Sequence, residues 1–144
     1  MLAGAVAAAG LRATFKVLEP SPLPPAGGAI IYTDLRSSSR FLSFHFCPGK
    51  GAIECFEREG SRWRRLGAPV PFPVLVGQAH HASLTMEGDL RRVVLDGREV
   101  LSVRADRPGG RIAIGAKLCP VEFSSLSIIP SSGAARGASG SFQP

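Results

Sequence analysis

An all-β domain, an antiparallel sandwich or barrel, is what this 144-residue sequence predicts. Three observations carry that reading. Apolar and polar residues alternate over short segments, turn residues separate those segments at short intervals, and no stretch keeps a helical apolar period over the length a helix requires. The tightest turn is Asp96-Gly97, set between two apolar runs within residues 80–129. Both central residues of a type I′ turn need φ > 0, which Asp and Gly adopt more readily than most, so this pair predicts a hairpin.

The elements follow in chain order. Residues 1–10 are expected to be irregular. Residues 11–19 (LRATFKVLE) place Ala13, Phe15 and Val17 on one side and read as a strand. In residues 20–28 four prolines and two glycines interrupt any ladder and mark a loop. Residues 28–35 (GAIIYTDL) are rich in β-branched and aromatic side chains and form a second strand, ended by a turn at 36–39. Residues 40–47 (RFLSFHFC) turn Leu42, Phe44 and Phe46 to the core and Phe41, Ser43 and His45 to the reverse face.

Across the turn Pro48-Gly49-Lys50-Gly51, residues 52–58 offer Ile53 and Cys55 to the core, and Glu54, Phe56 and Arg58 to the reverse face. The register sets Cys47 opposite Ala52, Phe44 opposite Cys55 and His45 opposite Glu54. A slip of one residue would expose the Phe44 row. A two-residue turn at Gly60-Ser61 leads into residues 63–66, sending Leu66 toward Cys55 and leaving Trp63 beside Arg58. Pro69, Pro71 and Pro73 make residues 68–78 a loop or irregular edge. Strands follow over 81–86, with Leu84 and Met86 inward, and over 91–95, 98–104, 111–115 and 121–129. One sandwich domain therefore spans 11–130, and the Gly/Ser/Ala-rich residues 131–144 read as a disordered tail or linker.

Composition bounds the partners. Seventeen basic residues against eleven acidic ones give a formal net charge of +6 and a pI near 10.0, which favours anionic partners. The arginines are scattered, at Arg36, Arg40, Arg58, Arg62, Arg64, Arg65, Arg91, Arg92 and Arg111, as on solvated strand faces. No basic-aromatic recognition motif points to specific nucleic-acid binding. No apolar run reaches the roughly 18 to 20 residues of a membrane span. The Ala-rich start lacks the basic region of a complete signal peptide. Cys47, Cys55 and Cys119 include no C-x-x-C pair, which argues against a zinc site. Cys47 and Cys55 point to opposite faces in the proposed hairpin, so buried free thiols are expected and the redox compartment stays open.

The order of elements, from GAIIYTDLRSSSRFLSFHF through IECFEREGSRWRRL, HHASLTMEGDLRRVVLDGREVL and GGRIAIGA to VEFSSLSI, resembles the concanavalin A-like, laminin G-like jelly-roll superfamily over residues 12–129. Asp96-Gly97, the strand Gly110-Arg111-Ile112-Ala113-Ile114-Gly115 and Phe123 match the family's internal hairpin, Gly-Arg strand and closing strand with a buried Phe. Within it, the chain is similar to bacterial domains of unknown function of the 3-keto-disaccharide hydrolase type. The resemblance implies an antiparallel two-sheet sandwich and an extracytoplasmic setting. It also implies strands ahead of the present start, so either the sheet is incomplete or the N-terminal segment is truncated, and an incomplete sheet would leave an exposed edge. Where relatives carry Trp-His, this chain has His80-His81.

Chemistry is harder to place. A retaining glycosidase needs two carboxyls about 5 Å apart, and the nearest pattern, Glu87-Gly88-Asp89, sits at a turn with Arg92 in place of a third acid. Glu54 and Glu57 face opposite sides of their strand, and so do His80 and His81, which excludes joint chelation by the two histidines. His45 opposite Glu54 is the one cross-strand pair with acid–base character, and an ordinary surface contact is its simpler reading. No cofactor is expected. The resemblance implies calcium at the sandwich rim, where Asp34 and Asp106 stand at strand ends. The richest feature is the outward row Phe41, His45, Glu54, Phe56, Arg58, Trp63 and Arg65. Aromatic faces stack on sugar C–H surfaces while Arg and Glu bond hydroxyls. The expected function is a non-catalytic module binding carbohydrate or a protein partner through this face. A glycoside-processing enzyme, or a decayed relative of one, is the alternative. The oligomeric state stays open.

Overall fold

The computed structural model describes residues 8–20 and 27–130. Residues 1–7, most of the expected 20–28 loop and the expected 131–144 tail lie outside the described residues. The strands are β1 (Ala8–Val17), β2 (Gly28–Ser37), β3 (Arg40–Cys47), β4 (Ala52–Glu59), β5 (Arg62–Arg65), β6 (Val70–Pro71), β7 (Ala79–Glu87), β8 (Leu90–Leu95), β9 (Arg98–Arg104), β10 (Arg111–Lys117) and β11 (Val121–Pro130). They form two antiparallel sheets packed as a sandwich. One runs β11-β1-β7-β8-β9 and is called here the β1 sheet; the other runs β10-β2-β3-β4-β5, with β6 added to β4, and is called the β3 sheet.

The first strand corrects an expectation. β1 begins at Ala8, three residues before the expected start, and is an interior strand hydrogen-bonded to β11 on one side and β7 on the other. The N-terminal strand is thus no exposed edge. The expected edge segment at 68–78 holds only the two-residue β6, but it also drops Phe72 and Val74, on either side of Pro73, into the core.

Alternation along the central hairpin sets the core. Leu42, Phe44 and Phe46 of β3 and Ile53 and Cys55 of β4 are buried, with Phe44 opposite Cys55 and Cys47 opposite Ala52 as expected. They pack on Leu11, Phe15 and Val17 of β1 and Leu84, Val93 and Leu95 of the facing sheet. Met86 and Leu66 pack against the same cluster, and the Leu66 amide donates to the Cys55 carbonyl at 2.9 Å. Asp96 and Gly97 take φ of 52° and 82°, the left-handed pair of a type I′ turn. Phe123 is half-buried on the edge strand β11 rather than fully enclosed. All three cysteines are free thiols. Burial pushes the Cys47 thiol up to about 11 and Cys55 higher still, so both are inert at neutral pH.

A second correction concerns Arg91, grouped above with the solvated arginines. It is 2% exposed, on the inward row of β8 with Val93 and Leu95. Its partner is Asp34, where β2 adopts φ 54° and its alternation breaks, so that Thr33 and Asp34 are both buried. The guanidinium donates from Nη2 to Oδ1 at 2.7 Å and from Nε to Oδ2 at 3.0 Å, tying one sheet to the other. Thr33 Oγ1 and the Gly109 amide complete the carboxylate at 2.7 and 2.9 Å. Burial alone would raise the Asp34 carboxyl, but these four donors more than offset it and hold it below its ordinary value. Gly110, at φ 126°, packs on this bend so closely that a Cβ would lie 2.9 Å from the Leu35 amide nitrogen.

Candidate functional site

The alternation that buries the Phe44 row turns a second row to the outer face of the β3 sheet, where Ile30, Ser43 and Glu54 are covered by their neighbours and Trp63 stays open. Register makes the face contiguous: Ile30 lies opposite His45 and His45 opposite Glu54, while Tyr32, Ser43, Phe56 and Arg65 run across β2, β3, β4 and β5 as successive neighbours. Phe41, Arg58 and Trp63 form the next row. Between them lies an open groove of about 430 Å³ lined by Ile30, Tyr32, Ser43, His45, Phe56, Trp63, Ala116 and Lys117.

The rings brace one another edge to face. Tyr32 meets Phe41 at a centroid distance of 5.2 Å and Phe41 meets Trp63 at 5.7 Å, while His45 stands on Phe56 at 5.1 Å. Edge-to-face pairs hold side-chain orientation beyond what area burial supplies. Arg58 lies 5.1 Å over the Trp63 ring and Arg65 lies 5.8 Å from the Phe56 centroid. Trp63 stays 54% exposed, so a large flat apolar surface faces solvent. Under Tyr32, Gly115 leaves room for the ring, since a Cβ there would approach Tyr32 Cε2 to 3.2 Å.

The His45–Glu54 pair is placed as the register requires, yet no hydrogen bond joins it. His45 Nε2 bonds Ser43 Oγ at 2.9 Å, two residues along its own strand. Glu54, only 5% exposed, is ion-paired at each oxygen, by Lys50 Nζ at 3.0 Å and Arg65 Nη2 at 3.2 Å. Burial, together with the nearby positive charges of Lys117 and Lys50, outweighs the attraction of Glu54 and lowers the His45 pKa to about 4. At neutral pH the ring is therefore uncharged.

All seven residues of the expected outward row belong to this face. Tyr32, Ser43, Ile30 and Lys117 were not among them. Ser43 was already placed on the reverse face of β3 by its parity; the signal for Ile30, Tyr32 and Lys117 was period-2 parity on β2 and β10, and linking that parity to β3 needs the strand order, which the sequence does not display.

The remaining residues singled out in the sequence lie elsewhere. Asp34 commits both oxygens to the contacts described above, and Asp106 pairs with Arg64 at 2.8 Å. No group of three His, Cys, Asp or Glu side chains poised to hold a metal occurs among the described residues. His80 and His81 point to opposite faces as expected. His80 is buried: its Nε2 accepts from the Leu75 amide at 3.1 Å, and its Nδ1 lies 2.7 Å from Asp96 Oδ2. These partners select the tautomer protonated at Nδ1. Burial would raise the Asp96 carboxyl, but the His81 amide and the His80 ring hold it below its ordinary value. The hairpin turn residue thus also latches the start of β7.

No protein-family model and no curated protein matches the sequence. Solved structures do match. The carbohydrate-binding module CBM66 from Bacillus subtilis superposes with a TM-score of 0.73 at 15% identity, over 87% of this chain and 77% of that one. The chain has the two-sheet jelly-roll fold of these structures. A variant of human galectin-16 gives 0.67 at 14% identity over 88% and 91% of the two chains. Chicken galectin 2 gives 0.64 at 16% identity over 85% and 92%. At these identities the likeness is one of fold. No helix among the described residues is long and apolar enough to cross a membrane.

Proposed function

We propose that this protein is a non-catalytic carbohydrate-binding module whose ligand lies in the groove on the outer face of the β3 sheet. The observation that carries the reading is the groove itself, where Tyr32, Phe56 and Trp63, braced by Phe41, stand beside the polar side chains of Ser43, His45 and Lys117. Sugar rings present an apolar C–H face and a rim of hydroxyls, and this surface offers the complement of both. The likeness to a structure whose own name is a carbohydrate-binding module supports the same reading. Hydrolysis of the two-carboxylate kind needs a second carboxyl in the groove and an acid free to move a proton. Glu54 is the single carboxylate on this face among the described residues, and both its oxygens are ion-paired. Binding is accordingly the better-supported reading.

Affinity electrophoresis through gels cast with different polysaccharides, alongside a glycan array, tests the proposal. The wild-type chain is expected to be retarded by at least one polymer, and Trp63→Ala and Phe56→Ala to run freely while keeping the wild-type circular dichroism spectrum. Wild-type mobility that no polysaccharide alters would overturn the carbohydrate reading and favour a protein partner for this face.

A further inference from the structure

The charges around the groove narrow the class of sugar. Lys50, Arg58, Arg65 and Lys117 stand on or beside this face, and Glu54 is its only carboxylate among the described residues. Lys50 and Arg65 share Glu54. Arg58 has no acid partner among the described residues; its Nε donates to the Gly60 carbonyl at 3.0 Å and its guanidinium covers Trp63. Lys117 lines the groove and forms no ion pair among the described residues. Elsewhere Arg40, Arg64, Arg91, Arg92, Arg104 and Arg107 pair with carboxylates, while Arg12, Arg36, Arg62, Arg98 and Arg111 form no ion pair among the described residues and Arg98 lies 5.2 Å over Phe72. What marks the groove is that its unpaired cations stand beside exposed aromatic surface, Trp63, whereas the Phe72 ring under Arg98 is buried.

We infer that the groove takes an acidic oligosaccharide, with pyranose rings on Phe56 and Trp63 and a carboxylate or sulfate ester on Lys117. This rests on the carbohydrate-binding reading and adds the ligand's charge. The depressed His45 pKa agrees with it, because Lys117 and Lys50 contribute to the lowering and so register as positive potential inside the groove. A nucleic acid is the less apt polyanion. Single strands need a cationic track that follows successive phosphates, and among the described residues only Lys117 in the groove and Arg58 beside it are unpaired cations on this face.

The test is calorimetric titration of the full chain with four probes: a galacturonate oligomer, its neutral methyl ester, a sulfated galactan oligomer and an oligothymidylate. The galacturonate or the sulfated oligomer is expected to bind about tenfold tighter than the methyl ester, the scale of one charge-assisted contact. Which of the two binds tighter tells carboxylate from sulfate. Lys117→Gln is expected to erase that preference, so that acid and methyl ester bind the variant with equal affinity; Trp63→Ala is expected to weaken all sugar probes alike. Equal affinity of the wild type for acid and ester overturns the acidic class and leaves carbohydrate binding standing. Oligothymidylate bound while no sugar binds, or no probe bound at all, overturns both. Preference for the acid that survives Lys117→Gln overturns the assignment of the anion to Lys117.

Discussion

The two outer faces of the sandwich rest on one shared core and differ in nearly everything they present to solvent. On the β3 sheet, aromatic rings brace one another around a groove whose rim is cationic. On the β1 sheet, Arg12, Thr14, His81, Ser83 and Ser127 line a smaller depression rich in short hydroxyl side chains, with Thr14 Oγ1 bonded to His81 Nδ1 at 2.9 Å. Both faces alternate with equally buried rows, so core packing constrains them alike. The difference lies in the outward positions, which the core leaves free to vary and where binding chemistry is built.

The largest effect expected is one that abolishes the contrast by removing the support of both faces. Asp34→Asn leaves Arg91 buried without a counter-charge, and loss of one partner of such a pair costs about 3–5 kcal/mol. Urea denaturation is expected to show that loss in one transition followed alike by Trp63 fluorescence and by far-UV circular dichroism. A loss under 1 kcal/mol (roughly the worth of an exposed pair) would place the pair in solvent rather than between the sheets.

Acid comes next and acts on the β3 face. The folded pKa of His45 lies near 4 against an ordinary 6.5, so the folded state favours the neutral ring. Its contribution is complete above pH 6.5 and is lost as pH falls toward 4, by up to about 3 kcal/mol. His45→Gln is expected to flatten the stability profile over that window, and imidazole NMR shifts should give His45 a midpoint near 4. Asp34 and Asp96, both held below the ordinary 3.8, add their own losses only at still lower pH. A His45 midpoint at or above 6 would refute the burial described for that ring.

Sharper still as a comparison, although smaller in energy, is Trp63→Ala against Ser83→Ala. The first is expected to reduce glycan affinity about tenfold or more, an effect near 1.4 kcal/mol; the second should leave it unchanged. Equal losses in a binding isotherm would mean that the ligand does not distinguish the faces. The smallest effect expected is on stability from Thr14→Val, within about 0.5 kcal/mol, since the bond it removes is exposed.

Much of the fold was legible because strand alternation and turn chemistry are local. The β3–β4 register, the Gly60-Ser61 turn and the left-handed pair at Asp96-Gly97 follow from residues within a few positions of one another. The outward row from Phe41 to Arg65 was legible for the same reason. Arg91 was not: its burial depends on Asp34, 57 residues earlier, and on the break in alternation that turns Asp34 inward. His80 was missed in the same way, since its role comes from the Leu75 amide and from Asp96 at a turn chosen for its backbone.

By itself, then, the sequence determined which side chains share a face along each hairpin, because a period of two needs only neighbours to be read. Tertiary structure alone decided which strands lie side by side and which charges meet across the sandwich. It brought Tyr32 and Lys117 to the groove and gave Glu54 two cations in place of His45. Pairing at a distance is settled by which arrangement satisfies every buried polar group at once.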